Sequence, residues 1–138
     1  MTLCIDIGNT TIAYALWENK DFSKIQRIET GKHNSLFLDK DRITNIAISS
    51  VVPNLTNYYK KYFQKTLNIN PFIINHANCG IKLDVDSPKE VGSDRICNVF
   101  GAKEKYGYPS IIIDFGSATT YDIIDANDFY KESNGIIY

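Results

Sequence analysis

The sequence has few cysteines and almost no net charge. Cys4, Cys79 and Cys97 are too few and too scattered for a disulfide framework, and no cysteines or histidines stand at metal-ligand spacing. A net charge of -1 argues against a protein built mainly to bind nucleic acid, which usually carries a basic excess. No apolar run approaches the ~20 residues of a membrane span. We therefore expect neither a nucleic-acid nor a membrane partner.

The N-terminal residues also lack a targeting pattern. They contain no basic region, and Asp6 comes too early for the apolar core of a signal peptide. Together with the low cysteine content, this predicts a cytoplasmic protein in a reducing compartment. A chain of 138 residues that is 43% hydrophobic can form one compact domain, or one domain and part of another.

Two short segments of the chain have nearly the same pattern. In each, an apolar strand ends in Asp, which is followed by one variable residue, a Gly and a run of small hydroxyl or amide side chains. The segments are residues 4–11, CIDIGNTT, and residues 113–120, IDFGSATT. The Gly permits a tight turn and close ligand approach, the N–H and hydroxyl groups can donate to phosphate oxygens, and the Asp can face a cation. The pair indicates a nucleotide held by two similar lobes.

The hydrophobic pattern predicts an α/β fold. A helix should begin at Pro53, and a second should run from Ser93 to about Lys105. Strands are predicted over residues 3–7, 11–17, 24–30, 43–52, 111–113 and 121–124, with a polar turn region over 125–133. We expect a first lobe over residues 1–108, and over 109–138 the opening strands of a second lobe that the sequence does not finish.

A third segment, Gly92-Ser93-Asp94-Arg95, lies between the two hairpins. Asp94 stands in the first turn of the predicted helix, where the dipole favours a carboxylate, so a simple capping role is one interpretation. The other interpretation is chemical. Asp94 can accept a proton from a substrate hydroxyl, and Arg95 can hold a substrate carboxylate through its planar fork. Such a pair suits phosphoryl transfer to a small anionic alcohol.

Three motifs in series resemble the type III pantothenate kinases. They are Asp6-Ile7-Gly8-Asn9-Thr10, then Gly92-Ser93-Asp94-Arg95 with Asn98, then Asp114-Phe115-Gly116-Ser117-Ala118-Thr119-Thr120. They stand in that family's order and at similar spacing, over almost the whole chain. The family belongs to the actin/sugar-kinase superfamily. The resemblance therefore implies a first ribonuclease H-like lobe, and the first strands of a second, which together clasp ATP.

The resemblance also implies a reaction and a set of ligands. ATP would transfer its γ-phosphoryl group to the terminal hydroxyl of pantothenate, giving 4'-phosphopantothenate in the first step of coenzyme A biosynthesis. Mg²⁺ and a monovalent cation, K⁺ or NH₄⁺, would assist, and the enzyme would be a homodimer. The first phosphate loop would contact ATP through Asp6, Ile7, Gly8, Asn9, Thr10, Thr11, Ile12 and Ala13, with Asp6 near the Mg²⁺–phosphate group.

The resemblance implies further roles in the later motifs. Gly92, Ser93, Asp94 and Arg95 would contact pantothenate, with Asp94 as the catalytic base and Arg95 as the substrate anchor. Asp114 would bind the monovalent cation. Ser117 would contact ATP, at a position where the family more often has Thr.

The sequence departs from the family in two ways. Val85 stands where the family commonly has a Tyr of the pantothenate pocket, and family chains continue well past residue 138. Two alternatives therefore stay open. One is a non-catalytic nucleotide-binding relative with a regulatory role. The other is a kinase of the same superfamily that acts on a different small anionic alcohol.

Overall fold

The computed structural model describes residues 1–36 and 38–137, without the side chains of 34, 35 and 132–137. The chain forms two compact units, Met1–Ile74 and Asn75–Tyr138. The division between the units precedes the helix that begins at Ser93, whereas the predicted lobe boundary, 108/109, follows that helix. The structure confirms the α/β class, and the ribonuclease H-like lobes stay a prediction.

The first unit contains a mixed sheet. Strand β1 (Thr2–Ile7) is antiparallel to β2 (Thr11–Glu18) and parallel to β5 (Asn45–Ser50). The remaining strands are β3 (Asp21–Phe22), β4 (Gln26–Glu29) and β6 (Phe72–Ile73). The order is β3-β2-β1-β5-β6, and β4 also pairs with β2. Short 3₁₀ turns cover Thr30–Ser35 and Lys40–Arg42.

Helix α1 (Pro53–Leu67) completes this unit as predicted. Pro53 suits the first helical turn because its missing N–H has no partner there in any helix. The helix ends at Leu67 and is followed by Asn68, whose φ of 54° is left-handed. Tyr59 and Phe63, which lie on one face of this helix, are buried. The core comprises Leu3, Ile5, Ile7, Ile12, Tyr14, Ile43, Ile46, Ile48, Tyr59 and Phe63.

Tyr59 links α1 to the 3₁₀ turn through its hydroxyl group, which donates to the carbonyl oxygen of His33 at 2.6 Å. Burial is the main cause that raises the pKa of Tyr59, so the hydroxyl stays protonated and can donate. We expect Tyr59→Phe to lower the free energy of unfolding by about 1 kcal/mol, because the ring stays and one hydrogen bond is lost. Urea denaturation measures this, with the exposed Tyr106→Phe as control. Equal stability of the two variants would contradict the assignment.

The second unit packs a helix on an antiparallel hairpin. Its elements are β7 (Lys82–Asp84), a 3₁₀ turn (Pro88–Glu90), α2 (Ser93–Tyr106), β8 (Ser110–Phe115), β9 (Thr119–Ile124) and β10 (Phe129–Ile137). The order is β7-β10-β9-β8, with β7 parallel to β10 and the other pairs antiparallel. The start of α2 at Ser93 and the second hairpin confirm the sequence prediction.

The predicted turn region over 125–133 is wrong in its second half. The carboxylate of Asp125 accepts the N–H groups of Asn127 and Phe129, and this closes the turn before β10 begins. Tyr130 is then buried opposite Ile124. The polar start of β10 forms a strand because the burial of Tyr130 and the pairing with β9 outweigh the low strand propensity of its polar residues.

Two expectations from composition can be compared with the structure. In the described ranges, Cys4, Cys79 and Cys97 form no disulfide, and burial raises the pKa of Cys4. No helix within those ranges is long and apolar enough to cross a membrane.

Candidate functional site

The first Asp-x-Gly segment forms a closed turn between β1 and β2. Gly8 N–H donates to the Thr11 carbonyl at 2.9 Å. Thr30 supports the turn twice: its N–H donates to the Thr10 carbonyl at 2.9 Å, and its hydroxyl donates to the Gly8 carbonyl at 2.8 Å. Thr30 lies 22 residues from Gly8, and the local motif gave no signal for this support.

Gly8 is required by close packing in this turn. A Cβ atom at position 8 would lie 3.1 Å from the Thr11 carbonyl oxygen, whereas one at Gly116 would meet its nearest atom at 3.5 Å. We expect Gly8→Ala to cost about 1–3 kcal/mol of folding free energy through this overpacking. Gly116→Ala should cost less, and Gly31→Ala, with no atom within 4 Å, serves as the control. Thermal denaturation of the three variants ranks them, and a Gly8→Ala variant as stable as Gly31→Ala would refute the packing argument.

Asp6 occupies the carboxyl end of β1, and its side chain is exposed. Ser49 lies opposite it on the parallel strand β5, and its hydroxyl donates to Asp6 Oδ1 at 2.9 Å. Parallel strands place their carboxyl ends at one edge of a sheet, so this contact orients the Asp6 carboxylate at that edge. Ser49 was not predicted from the sequence, although the Ser49-Ser50 pair at the end of an apolar strand was a signal for it.

The other residues of the first loop divide by exposure. Ile7 and Ile12 are fully buried in the core, so any ligand contact from them would use the backbone. Asn9, Thr10 and Thr11 are exposed at the turn. Their amide and hydroxyl groups are therefore the side-chain donors that this loop can offer to a phosphate.

Asp94 lies in the first turn of α2, as predicted. Its side chain is half-buried, and Oδ1 accepts the N–H of Arg95 at 2.8 Å. The preceding Ser93 is buried, and Gly92 is the residue that leads into the helix. A carboxylate at this end of the helix is stabilised by the unpaired N–H groups, and its second oxygen can still accept a proton.

The guanidinium group of Arg95 is held by Asp122. Arg95 Nε and Nη2 donate to Asp122 Oδ1 at 2.8 and 2.7 Å, and Nη2 also donates to the Tyr121 carbonyl at 3.1 Å. Asp122 is 0% exposed, and the Tyr130 hydroxyl donates to the same Oδ1 at 2.7 Å. Asp122 was not predicted from the sequence. A carboxylate inside the apolar run of β9 was the signal that could have identified it.

Asp114 and Asn98 form a second link between α2 and the hairpin. Asn98 Nδ2 donates to Asp114 Oδ2 at 2.8 Å. The turn after β8 closes through Gly116 N–H, which donates to the Ala118 carbonyl at 3.2 Å and leaves Ser117 exposed. A Cβ on Gly116 would lie 4.0 Å from Asp114 Oδ1, an ordinary van der Waals separation.

Among the described residues, no three His, Cys, Asp or Glu side chains group as a metal site. Val85, at the expected Tyr position, is half-buried directly after β7.

The structure thus places the predicted residues in two groups. The loop from Asp6 to Ala13 belongs to the first unit. Asp94, Arg95, Asp114 and Ser117 belong to the second, where contacts from α2 reach both strands of the second hairpin.

These features define an α/β protein with two phosphate-loop-like turns and an acid–arginine pair at a helix N-terminus. The model of the type III pantothenate kinase family matches residues 2–137. The chain therefore belongs to that family.

Curated relatives agree with this membership. The chain is 37% identical over 145 residues to a type III pantothenate kinase of Thermomicrobium roseum. The aligned region covers 94% of this chain and 56% of that protein. It is 36% identical to one from Listeria monocytogenes, with 95% and 56% covered, and 33% identical to one from Kosmotoga olearia, with 94% and 55% covered. The chain thus spans about half the length of these relatives.

A solved structure supports the fold. A protein from Campylobacter jejuni, described as a conserved Baf family transcriptional activator, matches with a TM-score of 0.58 at 20% identity. The match covers 98% of this chain and 52% of that one. At this identity the likeness concerns the fold alone.

Proposed function

We propose that this protein phosphorylates pantothenate with ATP, giving 4'-phosphopantothenate and ADP. The observation that carries the proposal is Asp94 in the first turn of α2, directly before Arg95, in a chain whose family match spans residues 2–137. The ribonuclease H-like lobes over residues 1–108 and 109–138 are part of the proposal.

In this proposal Asp94 is the catalytic base. One of its oxygens is engaged by the Arg95 N–H, which fixes the orientation of the carboxylate. The other oxygen would accept the proton of the terminal pantothenate hydroxyl as that oxygen bonds to the γ-phosphorus and the bond to ADP breaks. Gly92, Ser93 and Arg95 would contact pantothenate, and Arg95 would bind its carboxylate.

The first loop would hold the phosphates of ATP. Exposed Asn9, Thr10 and Thr11 would donate to phosphate oxygens, and Ser117 would add a contact from the second turn. Asp6 is an exposed carboxylate at the end of β1, and it would lie beside Mg²⁺. When bound, Mg²⁺ would neutralise the charge of the phosphates. Asp114, whose Oδ2 accepts a hydrogen bond from Asn98, would hold K⁺ or NH₄⁺.

The test is ADP release from ATP with Mg²⁺ and K⁺, with and without pantothenate, on the protein at its natural length. We expect turnover only when pantothenate is present. Absence of pantothenate-dependent turnover would contradict the proposal. The same assay on residues 1–138 shows whether this portion is active. Sedimentation of the natural-length protein tests the homodimer that the family resemblance implies.

A non-catalytic nucleotide-binding relative is the second candidate. The observation that favours it is Val85, which is half-buried at the position where the family resemblance implies a Tyr of the pantothenate pocket. ATP binding without turnover on any acceptor would support this candidate. Turnover with a different small anionic alcohol, but not with pantothenate, would support another kinase of the superfamily.

A further inference from the structure

We infer that Asp122 and Tyr130 position the guanidinium group of Arg95 for the carboxylate of the substrate. The inference rests on the proposed function, since Arg95 is the substrate anchor there. None of the three family motifs that carry the proposed function includes Asp122 or Tyr130.

The first support is the geometry of the contacts. Arg95 makes two hydrogen bonds to one oxygen of Asp122 and a third to the carbonyl of Tyr121. Three bonds to two fixed acceptors on β9 leave the guanidinium plane little rotational freedom. Because the Arg95 side chain is still 18% exposed, part of it reaches the surface while the rest is fixed. A rigid fork loses less entropy when it binds a carboxylate than a mobile one does.

The second support is the position of Asp122 itself. It is 0% exposed, and its Oδ2 atom has no hydrogen-bond partner among the described residues. A buried carboxylate with one unsatisfied oxygen is costly, and an apolar residue would pack in β9 without that cost. The arrangement concentrates three donors on Oδ1, from Arg95 and from the Tyr130 hydroxyl. This set of donors on one oxygen is consistent with a residue that orients Arg95.

Helix α2 carries a second ion pair, which does not contact Arg95 and serves as a control. Lys103, in the last turn of α2, pairs with Asp128 at 2.8 Å, and their side chains are 17% and 18% exposed. This pair also joins α2 to the β9–β10 region, but at the end of the helix away from Asp94. Asp128→Asn therefore removes a comparable charge without touching the substrate segment.

The experiment compares Asp122→Asn, Tyr130→Phe and Asp128→Asn in the protein at its natural length. We expect Asp122→Asn to raise KM for pantothenate at least tenfold, within the ~10²-fold that misplacement of a positioning group can cost, with KM for ATP unchanged. Tyr130→Phe should raise KM for pantothenate less, and Asp128→Asn should leave KM for pantothenate unchanged. If Asp122→Asn does not fold, the Tyr130→Phe result decides. Equal KM values for pantothenate in wild type and Tyr130→Phe would then overturn the inference.

A second readout does not depend on turnover. The Arg95 Nε–Hε signal in a ¹⁵N–¹H spectrum should be protected from exchange in the wild type and in Asp128→Asn, and less protected in Asp122→Asn, where a neutral amide replaces the charged acceptor of Nε. An unprotected wild-type signal would overturn the positioning role even if the kinase activity is confirmed. A protected signal in a protein without pantothenate turnover would show that Arg95 is held as inferred and that the proposed function is wrong.

Discussion

Asp94→Asn should lower kcat for pantothenate phosphorylation by about 10²–10⁴-fold, the usual range for loss of a general base. The substituted amide keeps the shape of the side chain and can still accept the Arg95 N–H, as Asp94 Oδ1 does at 2.8 Å. What it loses is the ability to take a proton from the substrate hydroxyl. The effect should therefore fall on kcat, with KM for ATP close to that of the wild type.

The control for this substitution is Glu90→Gln. Glu90 is an exposed acid in the 3₁₀ turn just before α2, so its replacement removes a negative charge near the same segment without removing the proposed base. Steady-state kinetics on both variants separates the two effects. If Asp94→Asn keeps the wild-type kcat, Asp94 is a capping residue of α2, and the base lies elsewhere.

Arg95→Met should lower the free energy of unfolding of the second unit by about 3–5 kcal/mol, because it leaves the fully buried Asp122 without its cation. Methionine retains much of the apolar stem of arginine, so little of the loss should come from packing. Hydrogen exchange of the α2 and β9 amides measures the effect within that unit.

Two controls make the stability result specific. Lys32→Met breaks an exposed ion pair with Glu29 and should change stability little. The double variant Arg95→Met with Asp122→Leu should recover much of the loss, because replacing both buried charges with apolar groups removes the unpaired carboxylate. A double variant less stable than Arg95→Met alone would show that the buried charge is not the cause of the destabilisation.

The elements that sequence predicts well are those with a strong local signal. Helix α1 combines Pro53 at its start with an aromatic face at helical spacing, and both features are present in the structure. Helix α2 and the two Asp-x-Gly hairpins likewise depend on neighbouring residues. The first part of strand β10 was missed because its start depends on pairing with β9 and on the burial of Tyr130, which no local pattern shows.

In the candidate site, too, the residues that are close together in the sequence were predicted and the distant partners were not. Asp94 and Arg95 are adjacent, so their motif could be read directly. The residues that hold the motifs in place are distant: Thr30 contacts the first turn from 22 residues away, Ser49 contacts Asp6 from 43 away, and Asp122 contacts Arg95 from 27 away. Such partners depend on strand register, which a single sequence specifies only weakly.

The ratio of 4'-phosphopantothenate formed to ADP released, on the protein at its natural length, tests the central proposal most directly. Transfer of the γ-phosphoryl group to the pantothenate hydroxyl predicts one phosphopantothenate for each ADP in the wild type, with both products falling together in Asp94→Asn. ADP released without phosphopantothenate would show that water or another alcohol is the acceptor, and would contradict the assignment of pantothenate as the substrate.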